Sequence, residues 1–230
     1  MKKEHQTFLE KFAGCDAEAD DTPEKGSVWL FGIEHGWPKN AEETRAVSED
    51  DTYSIKTQRQ WPFNRNAFKL LTIMAGRQIT EWTDYAEEHQ PFVRGSKGFF
   101  KGNLYPFPCH NTGEWSDSAK ELTGFSQKDE YKAWCHEHRL PVIKSWVDEY
   151  TPSIFIGVGN QYVNEFSLAA FGKLINFDVL ETEINGYTKR LYYAEDNGLK
   201  LVVIPHLSRG LNSHKSQEWA GSFIRNFISA

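Results

Sequence analysis

Four strand-length runs constrain this chain more than anything else in it: residues 28–32, 102–109, 153–159 and 201–205. A strand with one wet face alternates apolar and polar residues. These runs are largely continuous in apolar character, so they predict strands buried on both faces, as in a parallel sheet with helices on either side. The segments between them fit. Helical spacing of apolar residues predicts helices over 64–76, 129–138, 141–150 and 160–172, with Pro141 starting the third. A last helix carries Trp219, Phe223 and Phe227 on one stripe. Residues 179–184 and 187–194 alternate around Asn185-Gly186, a strong hairpin signal. The expected fold is α/β: a three-layer α/β/α sandwich with a four-stranded parallel sheet and a small hairpin insertion. One domain over 1–230 suffices, with residues 1–26 as an N-terminal helix (5–13) and an acidic loop.

The remaining segments read as connections. Residues 35–60 are polar and contain the acidic run 48–51, which predicts a lid or functional loop behind the first strand. A short helix is expected near 81–88 and a glycine-rich loop over 94–98. The second strand should leave the sheet at Pro106, with a polar loop running to about 126.

Charge and composition narrow the class. No apolar run approaches the ~20 residues of a membrane span, and the polar N-terminus is unlike a signal peptide, so cytoplasmic residence is expected. The net charge of −6 argues against a strongly basic, non-specific nucleic-acid binder, while leaving room for a local basic patch. Cys15, Cys109 and Cys135 are widely spaced and odd in number, which disfavours a disulfide framework or a tetracysteine metal site. His136 and His138, two apart on a predicted helix, point to different faces, so a metal site is not expected there. Gly157 and Gly159 follow a strand and precede a helix, but Tyr162 occupies the third glycine position of a dinucleotide fingerprint. They read as a tight strand-to-helix turn.

The chemistry gathers at the strand ends, where open α/β sheets place their sites. The first run stops at Glu34, the second carries Asn103, and the fourth stops at His206, followed by Ser208 and Arg209. An acid can orient or activate a water. A carboxamide offers a donor and an acceptor to an amide-like edge. A histidine can donate to a developing oxyanion. Each residue has an ordinary structural explanation singly: a loop cap, a satisfied turn, a core histidine. Together, three polar groups at three strand ends indicate a shared cleft.

The order of these motifs resembles the uracil-DNA glycosylase superfamily. Phe31-Gly-Ile-Glu-His-Gly36 resembles its first motif, where a strand ends in a polar residue that handles the attacking water. The stretch from Trp61-Pro-Phe-Asn-Arg to Gly76 resembles the Pro-x-Asn-Arg helix of the mismatch-specific and thymine-directed branches. Gly102-Asn-Leu-Tyr-Pro106 resembles the Asn-x-x-Pro strand of the single-strand-selective branch. Pro205-His-Leu-Ser-Arg209 resembles the second motif, whose histidine faces the base carbonyl. The match spans about residues 28–209. His35 and Leu207 stand where the family pattern has proline, and Glu34 is longer than the usual Asp or Asn.

Carried over, the resemblance implies that Glu34 and His206 are catalytic, and that Gly32, Ile33, Trp61, Phe63 and Asn103 bind the base. Ser208 and Arg209 would contact nucleic acid, and neither metal nor organic cofactor is implied. The substrate would be DNA, single- or double-stranded, whose base is flipped into a pocket. The changed motif positions and acidic charge leave a rival reading, a catalytically silent binder of a nucleobase, nucleotide or nucleic acid. A small-molecule hydrolase on a similar sheet is a third.

Overall fold

The computed structural model describes residues 24–36, 54–93, 95–109 and 113–230. The expected N-terminal helix and most of the segment 35–60 lie outside these residues. In chain order the elements are β1 (Val28–Gly36), α1 (Ile55–Gln58), α2 (Pro62–Met74), α3 (Trp82–His89), β2 (Phe99–Cys109), α4 (Asp117–Thr123), α5 (Lys128–Tyr150) and β3 (Ile154–Val158). There follow α6 (Val163–Phe171), β4 (Asp178–Ile184), β5 (Tyr187–Asp196), β6 (Leu199–Ile204) and α7 (His214–Ser229). Single 3-10 turns precede α3 and α6. Among the described residues no helix is long and apolar enough to cross a membrane.

The strands form one six-stranded mixed sheet in the order β2-β1-β3-β6-β5-β4. The four apolar runs, now β2, β1, β3 and β6, lie side by side and parallel. The hairpin is not a separate insertion. β5 pairs antiparallel with β6, from Tyr192 opposite Val203 to Asp196 opposite Leu199, and β4 pairs with β5. Leu191 and Ala194 of β5 are buried, so the hairpin both covers the open edge of β6 and extends the core.

Successive strand residues face opposite ways, and the core divides accordingly. Trp29, Phe31, Phe155, Leu201 and Val203 pack with Tyr131, Cys135, Ile143 and Phe166 of α5 and α6. Leu30, Ile154, Ile156, Val158, Val202 and Ile204 pack with Phe68, Leu71, Ala220 and Ile224 of α2 and α7. Helices therefore cover both faces. α2 and α5 each return between two parallel strands, so both begin at the strands' carboxyl ends.

Four boundaries differ from expectation. β1 continues to Gly36, so Glu34 lies inside the strand, opposite Tyr105. β2 continues past Pro106 to Cys109, because it is an edge strand, where a missing N–H is tolerated. Its register slips by two residues between the pairs Glu34–Tyr105 and Gly36–Cys109. The two helices expected around Pro141 are one, α5. Tyr131, Cys135, Arg139, Leu140, Ile143 and Val147 are buried along its length, and Glu137, the carbonyl partner that Pro141 cannot serve, is on the exposed side. The polar loop before 126 contains α4, whose N-cap Ser116 accepts from the Ala119 N–H and whose C-cap is Gly124.

Candidate functional site at the carboxyl ends of the parallel strands

Strand register sets the heights of the candidate residues. Phe31 pairs with Gly102 on one side and Gly157 on the other, and Gly157 pairs with Val203. Counting forward, Glu34 and His206 stand three residues beyond this row and Asn103 one beyond it. β1 and β6 are two strand spacings apart, roughly 10 Å, and His206 lies in the turn that follows β6. Asn103 lies on the far side of β1 and about 7 Å deeper than Glu34. Between Glu34 and His206, β3 ends in the turn expected from Gly157 and Gly159. A Cβ on Gly157 would enter the Phe166 ring (2.7 Å), and Gly159 has φ +134° with Ile33 packed against it. Ile33, expected to line a base pocket, thus closes the β3 turn.

His206 is held in a defined tautomer. The Ser208 N–H donates to its Nδ1 at 3.2 Å, so a neutral ring carries its proton on Nε2, which has no partner among the described residues. Burial, and then the nearby Arg209 guanidinium, hold its pKa below the usual histidine value. The ring meets Phe63 edge-on, with centroids 5.8 Å apart. The backbone N–H groups of Arg209, Gly210 and Leu211 converge on the His206 carbonyl. Leu207, which stands at a motif proline, is fully buried, and its carbonyl accepts from Asn66 Nδ2 at 2.9 Å. The loop is therefore anchored to α2 by an apolar side chain and a hydrogen bond rather than by proline stiffness. Ser208 is half-buried and Arg209 exposed.

Glu34 is not the open carboxylate that the sequence suggests. Its side chain is 5% exposed and is paired with Lys128, 8% exposed, from the first turn of α5. Lys128 Nζ donates to Oε1 at 3.1 Å and to the Glu114 carbonyl at 3.3 Å. Oε2 lies 2.9 Å from the same nitrogen but outside hydrogen-bonding geometry, and it accepts from no other group among the described residues. The carboxylate is charge-compensated, and its Oε2 is buried without a hydrogen bond among the described residues. The Cys109 thiol nearby is pushed up by burial and by Glu34. Tyr105, level with Glu34, is fully buried. Burial and then Glu165 keep it a phenol, and its hydroxyl lies 3.0 Å from His136 Nε2.

Asn103 is 6% exposed, with its carboxamide pressed against Gly32, where any Cβ would run into Oδ1. Gly32 thus serves the site by making room for Asn103. Two residues earlier on β2, buried Lys101 donates to Asn64 Oδ1 at 3.0 Å, and its ammonium lies 5.7 Å from the rings of Phe63 and Phe92. Asn64 Nδ2 donates to Gln58 Oε1, and Gln58 Nε2 to the Phe92 carbonyl, each at 3.0 Å. This buried chain ties α1, α2 and β2 together beneath the mouth. Trp61 is half-buried at the N-cap of α2.

The structure thus gathers Phe63 and His206, with Lys101 behind Phe63, on the α2 side. Glu34 is gathered with Lys128, Cys109 and Tyr105 toward α5. Lys128, Lys101, Asn64 and Asn66 were missed by sequence reasoning. Three of them carried a signal: Asn64 and Asn66 fall on the buried side of an otherwise apolar helix face, and Lys101 interrupts an apolar strand. Among the described residues no three His, Cys, Asp or Glu side chains could jointly hold a metal ion. Compared with known proteins, the chain matches no family model and no curated protein.

Proposed function

We propose that this protein is a divergent member of the uracil-DNA glycosylase superfamily that acts in the cytoplasm, hydrolysing the N-glycosidic bond of uracil or another altered base in DNA. One observation carries the reading. Beyond the carboxyl end of β6, a histidine accepts the Ser208 N–H at Nδ1, which leaves Nε2 as the donor of its neutral ring, while near the end of β1 a buried carboxylate is paired with a lysine and has one oxygen without a hydrogen bond among the described residues. The parallel β2-β1-β3-β6 core supports the same placement.

In the proposed reaction the bond between C1′ and the base nitrogen breaks and its electron pair leaves with the base. Negative charge accumulates on a base carbonyl oxygen, where the His206 Nε2–H donates to it. A neutral imidazole suits this task, since it stabilises the anion without surrendering its proton early. Glu34 Oε2 accepts from a water, whose oxygen bonds to C1′ and whose proton passes to the carboxylate. Asn103 reads the base edge with its carboxamide, Phe63 or Trp61 stacks on the flipped base, and Ser208 and Arg209 contact the strand.

A second reading is favoured by the Glu34–Lys128 pair: a catalytically silent binder of nucleobases, nucleotides or nucleic acid, in which the carboxylate serves structure. Labelled oligonucleotides carrying uracil, hypoxanthine or a mismatch, single- and double-stranded, separate the two. The enzyme reading expects abasic sites with wild-type protein and none with Glu34→Gln. Binding without abasic product would establish the silent binder.

A further inference from the structure

Acidic side chains neutralise two of the cations around α1, α2 and α3. Arg59 pairs with Glu87, and Arg77 pairs with Glu88 at 2.8 Å. Two cations on the outer side of α2 are treated differently. Arg65 and Lys69 have no acidic partner among the described residues, although the chain carries 32 acidic residues against 26 basic ones. They stand at i and i+4, the helix spacing at which like charges face each other and repel.

Both are half-buried rather than extended into solvent, and Lys69 Nζ lies 5.7 Å from the Trp82 ring centroid. The Trp82 indole holds this cation close to the surface, where freely moving side chains would separate the two charges. Partial burial, and then Arg65, lower the Lys69 pKa, the sign of an ammonium held beside another cation.

The ridge begins beside the mouth. Arg65 lies between Asn64, which receives Lys101, and Asn66, which anchors the His206 loop. Lys69 follows one turn along, about 6 Å further on the helix axis. That rise is comparable with the step between successive phosphates of a strand. Arg209, exposed and close enough to lower the His206 pKa, adds a further cation near the histidine.

We propose that Arg65 and Lys69 form a phosphate track that holds the backbone of a nucleic-acid strand along the outer side of α2 while its base occupies the mouth. The proposal rests on the nucleic-acid reading above. It adds two backbone contacts that the strand-end motifs do not contain. Charge repulsion in the free protein is relieved when the phosphates arrive, so the ridge binds a polyanion without disturbing the buried Glu34–Lys128 pair.

The test is the affinity of a short fluorescent oligonucleotide at several salt concentrations, for wild type and Arg65→Gln/Lys69→Met. Two lost phosphate contacts should lower the slope of log K against log salt by about 1.4 on a single strand, or about 1.8 on a duplex. The charge-keeping exchange Arg65→Lys/Lys69→Arg should retain the wild-type slope. Thermal unfolding of the neutralised variant should be no earlier than that of wild type, since a repulsion has been removed. If wild type binds and the neutralised variant matches it in affinity and slope, the track is overturned while the reading of the mouth stands. If wild type binds no nucleic acid at all, both fail together.

Discussion

Replacing Lys128 with methionine tests how the strand-end carboxylate is tolerated. The Glu34–Lys128 pair is almost wholly removed from solvent, at 5% and 8% exposure, with 2.9 Å between charges. At an effective dielectric of 20 the attraction is roughly 6 kcal/mol. Each ion gives up several kcal/mol of hydration when buried, so the intact pair contributes little net stability. Lys128→Met keeps the length and the apolar stem but leaves Glu34 charged and unpartnered. The expected cost is about 3–5 kcal/mol, a fall in Tm of roughly 6–20 °C for a chain of this size. Glu34→Gln/Lys128→Met removes both charges and should recover to within about 1 kcal/mol of wild type. Denaturant unfolding of the four proteins in the cycle gives the coupling directly. Additive effects, with the double variant no better than Lys128→Met, would refute the compensating pair and reopen Glu34 as a free base.

Four further outcomes follow from the geometry. In Gly221→Ala the new Cβ would sit 2.8 Å from Ile73 Cβ and 3.3 Å from the Leu70 carbonyl, forcing α7 off α2, so equilibrium unfolding should show a loss of about 1–3 kcal/mol. Gly32→Ala should displace Asn103 Oδ1 and alter base preference more than stability, read as relative rates on two bases; unchanged preference would remove Asn103 from base reading. His206 has a folded pKa below 6.5, so the stability of its neutral form is fully present above about 6.5 and is lost as pH falls toward the folded value. Arg209→Gln removes the second cause of that depression, so the acid limb of base release should move to higher pH; an unmoved limb would contradict the assignment.

The parallel core was legible because burial on both faces writes itself as continuous apolar runs, and the hairpin because Asn185-Gly186 marks its turn. The place of the hairpin was not legible, since alternation tells that a strand is half-covered but not which edge it joins. α5 was split at Pro141 by a local rule that tertiary burial on both sides of the proline overrode. At the site, His206 falls just beyond the end of β6 as read, whereas Asn103 lies inside β2, because that strand runs on past Pro106 to Cys109. The partner of Glu34 was not legible, because Lys128 lies 94 residues away and meets it only through the packing of α5 over the sheet. Phe63 could be named as an aromatic of the motif, but its edge-on contact with His206 depends on where α2 begins.

In the proposed reaction Glu34 and His206 serve one glycosidic bond, the first handling the water and the second the leaving base. The most direct test is the single-turnover rate of base release by wild type, Glu34→Gln, His206→Ala and the double variant on the oligonucleotide that wild type cleaves best. Each single variant should lose about a hundredfold or more, and the double variant should be little worse than the poorer single, since the two groups serve one transition state. Release at the wild-type rate by either single variant, or no release by wild type from any of the oligonucleotides, would contradict the proposed reaction.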